Sequence, residues 1–240
     1  MNSIQNPFSQ TTEFQSQSLT KTFMTNVFTW MFVAMALTAI IAYTAAGSIS
    51  FMSMLKSETG GMSIFGWIVM LAPFGLVLWM SAGFARMSAN TMTLVFIAYS
   101  ALMGLSLSFI FLAYTGTSIA KTFMITSGMF GLMAVLGYTT KTDLTKFGSI
   151  MMMGLVGIII ASLVNFFLKS SMMEYIISFI GVLVFTGLTA YDVQKLKNIG
   201  ATAIEQGDTM RKVTLMGALT LYLDFINLFL FLLRFFGNRK

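Results

Sequence analysis

A chain of 240 residues that is 57% hydrophobic, only 9% charged and of mean hydropathy +0.84 has far too little charge to cover a soluble domain, which needs about 25%. It contains no cysteine and no histidine, which excludes disulfides, thiol catalysis, Cys/His zinc sites, imidazole proton transfer and haem ligation by either residue. The net charge of +6 arises from lysines and arginines scattered through the loops, the bias of a membrane protein and not a nucleic-acid patch.

Residues 1–20 (MNSIQNPFSQTTEFQSQSLT) are rich in Ser, Gln and Thr and read as a disordered polar N-terminal tail. They lack the short basic region that opens a cleaved signal peptide. Beyond them, uncharged runs cover 22–55, 59–85, 87–120, 122–140, 147–168 and 175–191. About 20 apolar residues suffice for one spanning helix, and none of the runs alternates as a membrane-barrel strand would. The pattern predicts an all-α integral membrane protein, with residues 21–240 as one domain of seven transmembrane helices. Those helices are expected at 22–46, 62–81, 91–112, 119–138, 147–168, 172–191 and 213–236. Pro73 falls inside the second and is expected to kink it. Gly128/Gly131, Gly154/Gly157 and Gly181/Gly187 mark either close helix approaches or the general glycine enrichment of membrane helices. The 22 methionines read as flexible apolar packing.

Loop charge sets the expected orientation. One side carries Lys21, Arg86, Lys141, Lys146, Lys195, Lys197, Arg211 and Lys212, and the other Lys56, Lys121 and Lys169, which puts the N-terminus in the cytoplasm. The last segment, 213–236, is long enough to cross, at about 36 Å. Crossing moves Arg234, Arg239 and Lys240 to the outer side, whereas a re-entrant path returns them; length favours crossing.

Ionisable groups at membrane depth are costly and mark function. Asp224 lies midway along the last apolar run, in Leu221-Tyr222-Leu223-Asp224-Phe225, where a lone carboxylate needs a proton or a partner. Asp192 is expected to end the sixth helix near the cytoplasmic face, where it would otherwise cap the segment that follows. Arg86 follows the second helix on the same face and reads equally as a positive-inside anchor. Two carboxylates and a guanidinium make a proton-dependent latch: one shared proton joins the aspartates, and its loss drives them apart or turns one to Arg86. Depth argues against the pair, since Asp224 lies about 19 Å along its helix from Arg211 and Asp192 should be shallower. Asn165 and Asn227 line a polar path or bond across helices. Glu58 and Glu174 at the outer face, and Asp143 between Lys141 and Lys146, read as solvated loop charges. With no calcium loop, phosphate-binding glycine loop or His-Glu motif, nothing points to hydrolysis, ATP, a bound cofactor or an enzyme.

Two stretches carry a family resemblance: Phe185-Thr186-Gly187-Leu188-Thr189-Ala190-Tyr191-Asp192-Val193-Gln194-Lys195, and Gly217-Ala218-Leu219-Thr220-Leu221-Tyr222-Leu223-Asp224-Phe225-Ile226-Asn227-Leu228-Phe229-Leu230. With the tail Leu233-Arg234-Phe235-Phe236-Gly237-Asn238, they resemble the C-terminal signature of the transmembrane Bax inhibitor motif (Bax inhibitor-1-like) family, in its bacterial branch. The resemblance implies an inner-membrane protein with six helices surrounding a central C-terminal one. It further implies a pH-sensitive calcium leak gated by Asp192 and Asp224, with Arg86 the weaker third assignment and Ca²⁺ held only transiently at the two aspartates. Two alternatives stand beside it. One is an interaction protein that modulates a membrane-bound AAA protease through residues 1–20, and the other is proton-coupled calcium exchange on the same carboxylates.

Overall fold

The computed structural model of the protein describes residues 7–57, 61–202, 207–238 and 240, with side chains from 17 onward. Within these the chain is helical almost throughout: α1 (Pro7–Gly47), α2 (Ile49–Leu55), α3 (Ile64–Gly83), α4 (Ala89–Leu107), α5 (Ile110–Ala113), α6 (Gly116–Thr139), α7 (Thr145–Leu168), α8 (Ser171–Thr202) and α9 (Asp208–Phe236). Seven helical stretches are long and apolar enough to cross a membrane, α4 and α5 together forming one of them.

Loop hydroxyls start the helices. Ser48, Ser63, Ser88 and Thr115 each accept a hydrogen bond from a backbone N–H in the first turn of α2, α3, α4 and α6, at 3.0–3.3 Å. Each removes one of the unpaired donors that every helix start exposes, which is why a lone polar residue before an apolar run fixes the boundary. Asp208, in the first turn of α9, serves α4 as well, accepting from Ala89 N at 3.2 Å. At the far end of α7 the chain leaves through Lys169 in the left-handed region (φ 50°), and Asn165 closes that end by accepting from Ser170 N at 3.0 Å.

The last helix, α9, is enclosed by its neighbours. It is the most buried of the seven, with 72% of its apolar window enclosed against 6% for α7. It lies mainly against α8, α1, α6 and α4, while α3 leans on α4 and α7 on α8. The outside is a continuous apolar coat; Ile150, Met153, Val156, Ile160 and Leu163 of α7 all face outward. In water such a patch would drive association, so its solvent is lipid.

The final helix crosses the bundle and does not turn back. At its start Lys212 Nζ donates to Phe84 O (3.0 Å), beside the α3–α4 loop. At its end Asn238 N donates to Ser118 Oγ (3.0 Å) and Lys240 N to Ala113 O (3.0 Å), beside the α5–α6 junction at the opposite end of the α4 span.

Three expected boundaries change. The connection from 47 to 61 contains α2, which the Ser48 cap initiates. Within the polar stretch expected as a tail over 1–20, α1 begins at Pro7; residues 1–6, like Glu58, lie outside the described residues. The sixth spanning helix continues to Thr202, eleven residues past Tyr191 of the expected 172–191 span. Charges at 192–197 conceal an apolar stripe, Val193, Leu196 and Gly200, spaced to lie on one helical face and buried. A Cβ at Gly217 would lie 2.7 Å from Leu196, and one at Gly200 would lie 2.8 Å from Phe23, so the stripe packs on α9 and α1.

Candidate functional site

The longer α8 removes the difficulty of depth. Asp192 does not end or cap a helix; it sits inside α8, about 15 Å from its end, and Asp224 sits about 24 Å into α9. The helices run antiparallel with Phe185 stacked on Phe231 (5.7 Å) and Gly217 against Leu196, a register that brings 192 opposite 224. That register sets the two carboxyl groups facing each other, close enough to interact. Asp224 is 5% exposed, Asp192 half-buried, and the Asp224 Oδ2 atom is enclosed without a hydrogen-bond partner. A buried carboxyl oxygen in that condition is a position for a proton or a cation, since an unpaired ionised carboxylate is too costly to keep.

The neighbours of the pair are fixed by close contacts. Gly137 of α6 lies directly against the backbone carbonyl group of Ala190, so the two helices meet one half-turn before Asp192. Gly148 of α7 seats the Tyr191 ring. Two residues beyond Asp192, Gln194 is buried and clamps the α6–α7 loop: its Oε1 accepts from Leu144 N and its Nε2 donates to Thr142 O, both at 2.8 Å. Lys197 Nζ donates to Tyr138 O at 2.7 Å. Lys195, one turn from Asp192, supplies the cation whose field reaches its carboxyl.

On the opposite side of α9, Tyr222 is fully buried and meets Thr38 of α1 (Oη to Oγ1, 2.7 Å). Thr38 donates its one proton to Ser100 O of α4 (2.9 Å), so the tyrosine must be the donor to Thr38. Tyr99 packs edge-on to Tyr222 at 5.4 Å, and its hydroxyl is buried without a partner.

Other expected residues fall elsewhere. Arg86 is exposed at the end of α3 and makes no ion pair or hydrogen bond through its side chain with either aspartate. Neither asparagine bonds across helices: Asn165 closes α7, and Asn227 donates to Leu223 O of its own helix at 2.8 Å. Glu174 sits in the first turn of α8, where the helix dipole favours a carboxylate. Asp143 is more than a solvated charge: its Oδ1 accepts from Thr145 Oγ1 (2.6 Å) and N (2.9 Å) at the start of α7, and these bonds hold its carboxyl below the usual carboxylate range. Of the singled-out glycines, Gly154, Gly181 and Gly187 face side chains of neighbouring helices, whereas Gly128, Gly131 and Gly157 face open space. Among the described residues no three carboxylates converge as a resident metal site would require. Sequence reasoning missed Gln194 and Tyr222 although both stand inside the quoted motifs. Their polar atoms reach partners 50 and 184 residues away, which no local pattern signals.

A family model described as inhibitor of apoptosis-promoting Bax1 matches residues 20–240. Inner membrane protein YbhL of Escherichia coli (strain K12) is 52% identical over 222 residues, covering 92% of this chain and 93% of its own. A protein of Rickettsia prowazekii is 48% identical over 91% of this chain and 90% of its own. One from Borreliella burgdorferi is 45% identical over 96% and 97%.

Proposed function

The chain belongs to the Bax inhibitor-1-like family, and from that premise we propose that it is a passive, pH-sensitive cation leak of the bacterial inner membrane, with calcium as its cargo. The observation that carries this reading is the pair of aspartates meeting across α8 and α9, the two most buried spans of the bundle. Two carboxyl groups in contact can share one proton, which makes them donor and acceptor. Without it they are like charges facing each other, held together only by a cation or forced to separate. The same two sites that exchange a proton can therefore take a divalent ion in passing. Calcium prefers six to eight oxygens, so two carboxylates supply a waypoint and not a cage. The name of the E. coli relative supports the inner-membrane location, and the lysine and arginine asymmetry supports a cytoplasmic N-terminus. Arg86 has no place in the reading unless α3 moves, since it is exposed and does not touch the pair.

Calcium uptake by liposomes containing the purified protein, measured at several pH values beside the Asp224→Asn variant, tests this. The wild type should show uptake that varies with pH, and the variant uptake that does not. No uptake above empty liposomes at any pH refutes the leak. A wild-type pH profile in the variant refutes the gate, and uptake that needs an imposed proton gradient means exchange.

A further inference from the structure

Between α1 and α6 a cleft runs down the outside of the bundle and reaches Phe225 of α9 in its lower part. Its upper part, about 650 Å³, is lined by Lys21, Thr25 and Phe32 of α1 and by Tyr138 and Thr139 of α6. The lower part, about 520 Å³, continues past Met35 and Ala39 to Phe130 and Phe225. Phe28 and Phe32 border both, so the two adjoin along α1, and both open to the side. Each lies within the size range of small-molecule sites, about 300–1,000 Å³.

We propose that this cleft holds a phospholipid of the surrounding bilayer, its acyl chain lying between α1 and α6 and its anionic headgroup at the Lys21 end. Shape comes first. From Lys21 to Phe32 the cleft runs about 16 Å along α1, the depth of one leaflet in a hydrocarbon core of about 30 Å. A laterally open groove lined by aromatic and aliphatic side chains accepts an extended acyl chain along its length.

Charge decides which lipid. An acyl chain gains nothing hydrophobic by leaving its neighbours for an apolar groove, so selection rests on the head. Lys21 lines that end of the cleft, and Lys197 stands over the Tyr138 ring at 5.2 Å, a second cation at the same mouth. Among the described residues no carboxylate lines either part. A lipid phosphate bearing net negative charge gains charge-assisted hydrogen bonds there that a zwitterionic head partly cancels.

The test uses full-length protein in detergent, titrated with phosphatidylglycerol or phosphatidylcholine of the same chain lengths and read by native mass spectrometry. The wild type should retain one phosphatidylglycerol in preference to phosphatidylcholine. Lys21→Gln should weaken phosphatidylglycerol about five-fold, the effect of one lysine at a membrane surface, and leave phosphatidylcholine unchanged. Thr25→Trp, at an exposed lining position, should displace both lipids while circular dichroism and elution stay as in the wild type. Equal retention of the two lipids by the wild type, or wild-type retention of phosphatidylglycerol by both variants, overturns the proposal. A copurifying protein lost in Thr25→Trp with lipid retention unchanged also overturns it, in favour of a partner helix.

Discussion

The buried chain Tyr222–Thr38–Ser100 makes a prediction in which two near-isosteric substitutions differ for a countable reason. Thr38 has one proton and gives it to Ser100 O at 2.9 Å, so Tyr222 donates to Thr38 at 2.7 Å. Tyr222→Phe removes the donor and leaves Thr38 still bonded to Ser100, which costs about 1 kcal/mol. Thr38→Val removes the acceptor instead and strands a tyrosine hydroxyl at a site with no exposure, which costs about 2 kcal/mol. Interhelical bonds in membranes average about 0.6 kcal/mol with a ceiling near 1.7, so the difference should stay near 1 kcal/mol. With both changes made, no hydroxyl is stranded, and the double variant should cost about 1–2 kcal/mol, no more than Thr38→Val alone, where simple addition gives about 3. Unfolding of the purified protein in detergent, followed by tryptophan fluorescence across a denaturant series, measures all four corners of the cycle. The reasoning is refuted if Tyr222→Phe costs as much as Thr38→Val, or if the two add.

Three further outcomes follow from contacts around the aspartates. Gly137→Ala should destabilise by about 1–3 kcal/mol, because its Cβ meets the Ala190 backbone and not a yielding side chain, whereas Gly128→Ala, facing open space, should be neutral or stabilising by up to about 1 kcal/mol in the same unfolding assay. Gln194→Leu leaves Leu144 N and Thr142 O without their side-chain partner, so hydrogen exchange at Leu144 should quicken at least several-fold while α9 stays protected. Thr145→Val deletes the stronger of the bonds that hold Asp143 below the usual carboxylate range, so its carboxyl, followed by ¹³C NMR, should titrate nearer the ordinary value. The sign follows: Asp143 favours the native α7 start above the unfolded carboxylate pKa, and the contribution is lost as pH falls through its depressed native value, a loss the valine variant should show earlier.

The seven spans were legible because lipid demands long uncharged runs, and the runs between Lys21, Lys56, Arg86, Lys121 and Lys141 left little choice. Asp224 was legible for the same reason, as a charge where none belongs. What hydropathy could not show was a helix continuing through charge: 192–202 reads as a loop until Val193, Leu196 and Gly200 are seen to share one buried face, and with that error went the apparent mismatch in depth. Glycines were harder. Gly137 touches Ala190 backbone while Gly131 on the same helix faces open space, a distinction of helix azimuth that spacing alone does not carry. Arg86 shares a membrane side with Asp192 in the sequence, yet sharing a side says nothing about which helices are neighbours; α3 packs on α4, not on the α8–α9 pair.

Gln194 gives the carboxyl pair an indicator outside the bilayer. It rides on the same helical stretch as Asp192 and grips the 142–144 turn by two buried-end hydrogen bonds, while Lys197 grips Tyr138 a turn further on. Any roll or slide of α8 that parts the aspartates must drag that turn with it or break both bonds, at about 1 kcal/mol apiece. The turn therefore behaves as a pointer on a dial whose spindle is inside the apolar interior. A probe on exposed Lys141 would register any such movement of α8 without disturbing a single buried side chain.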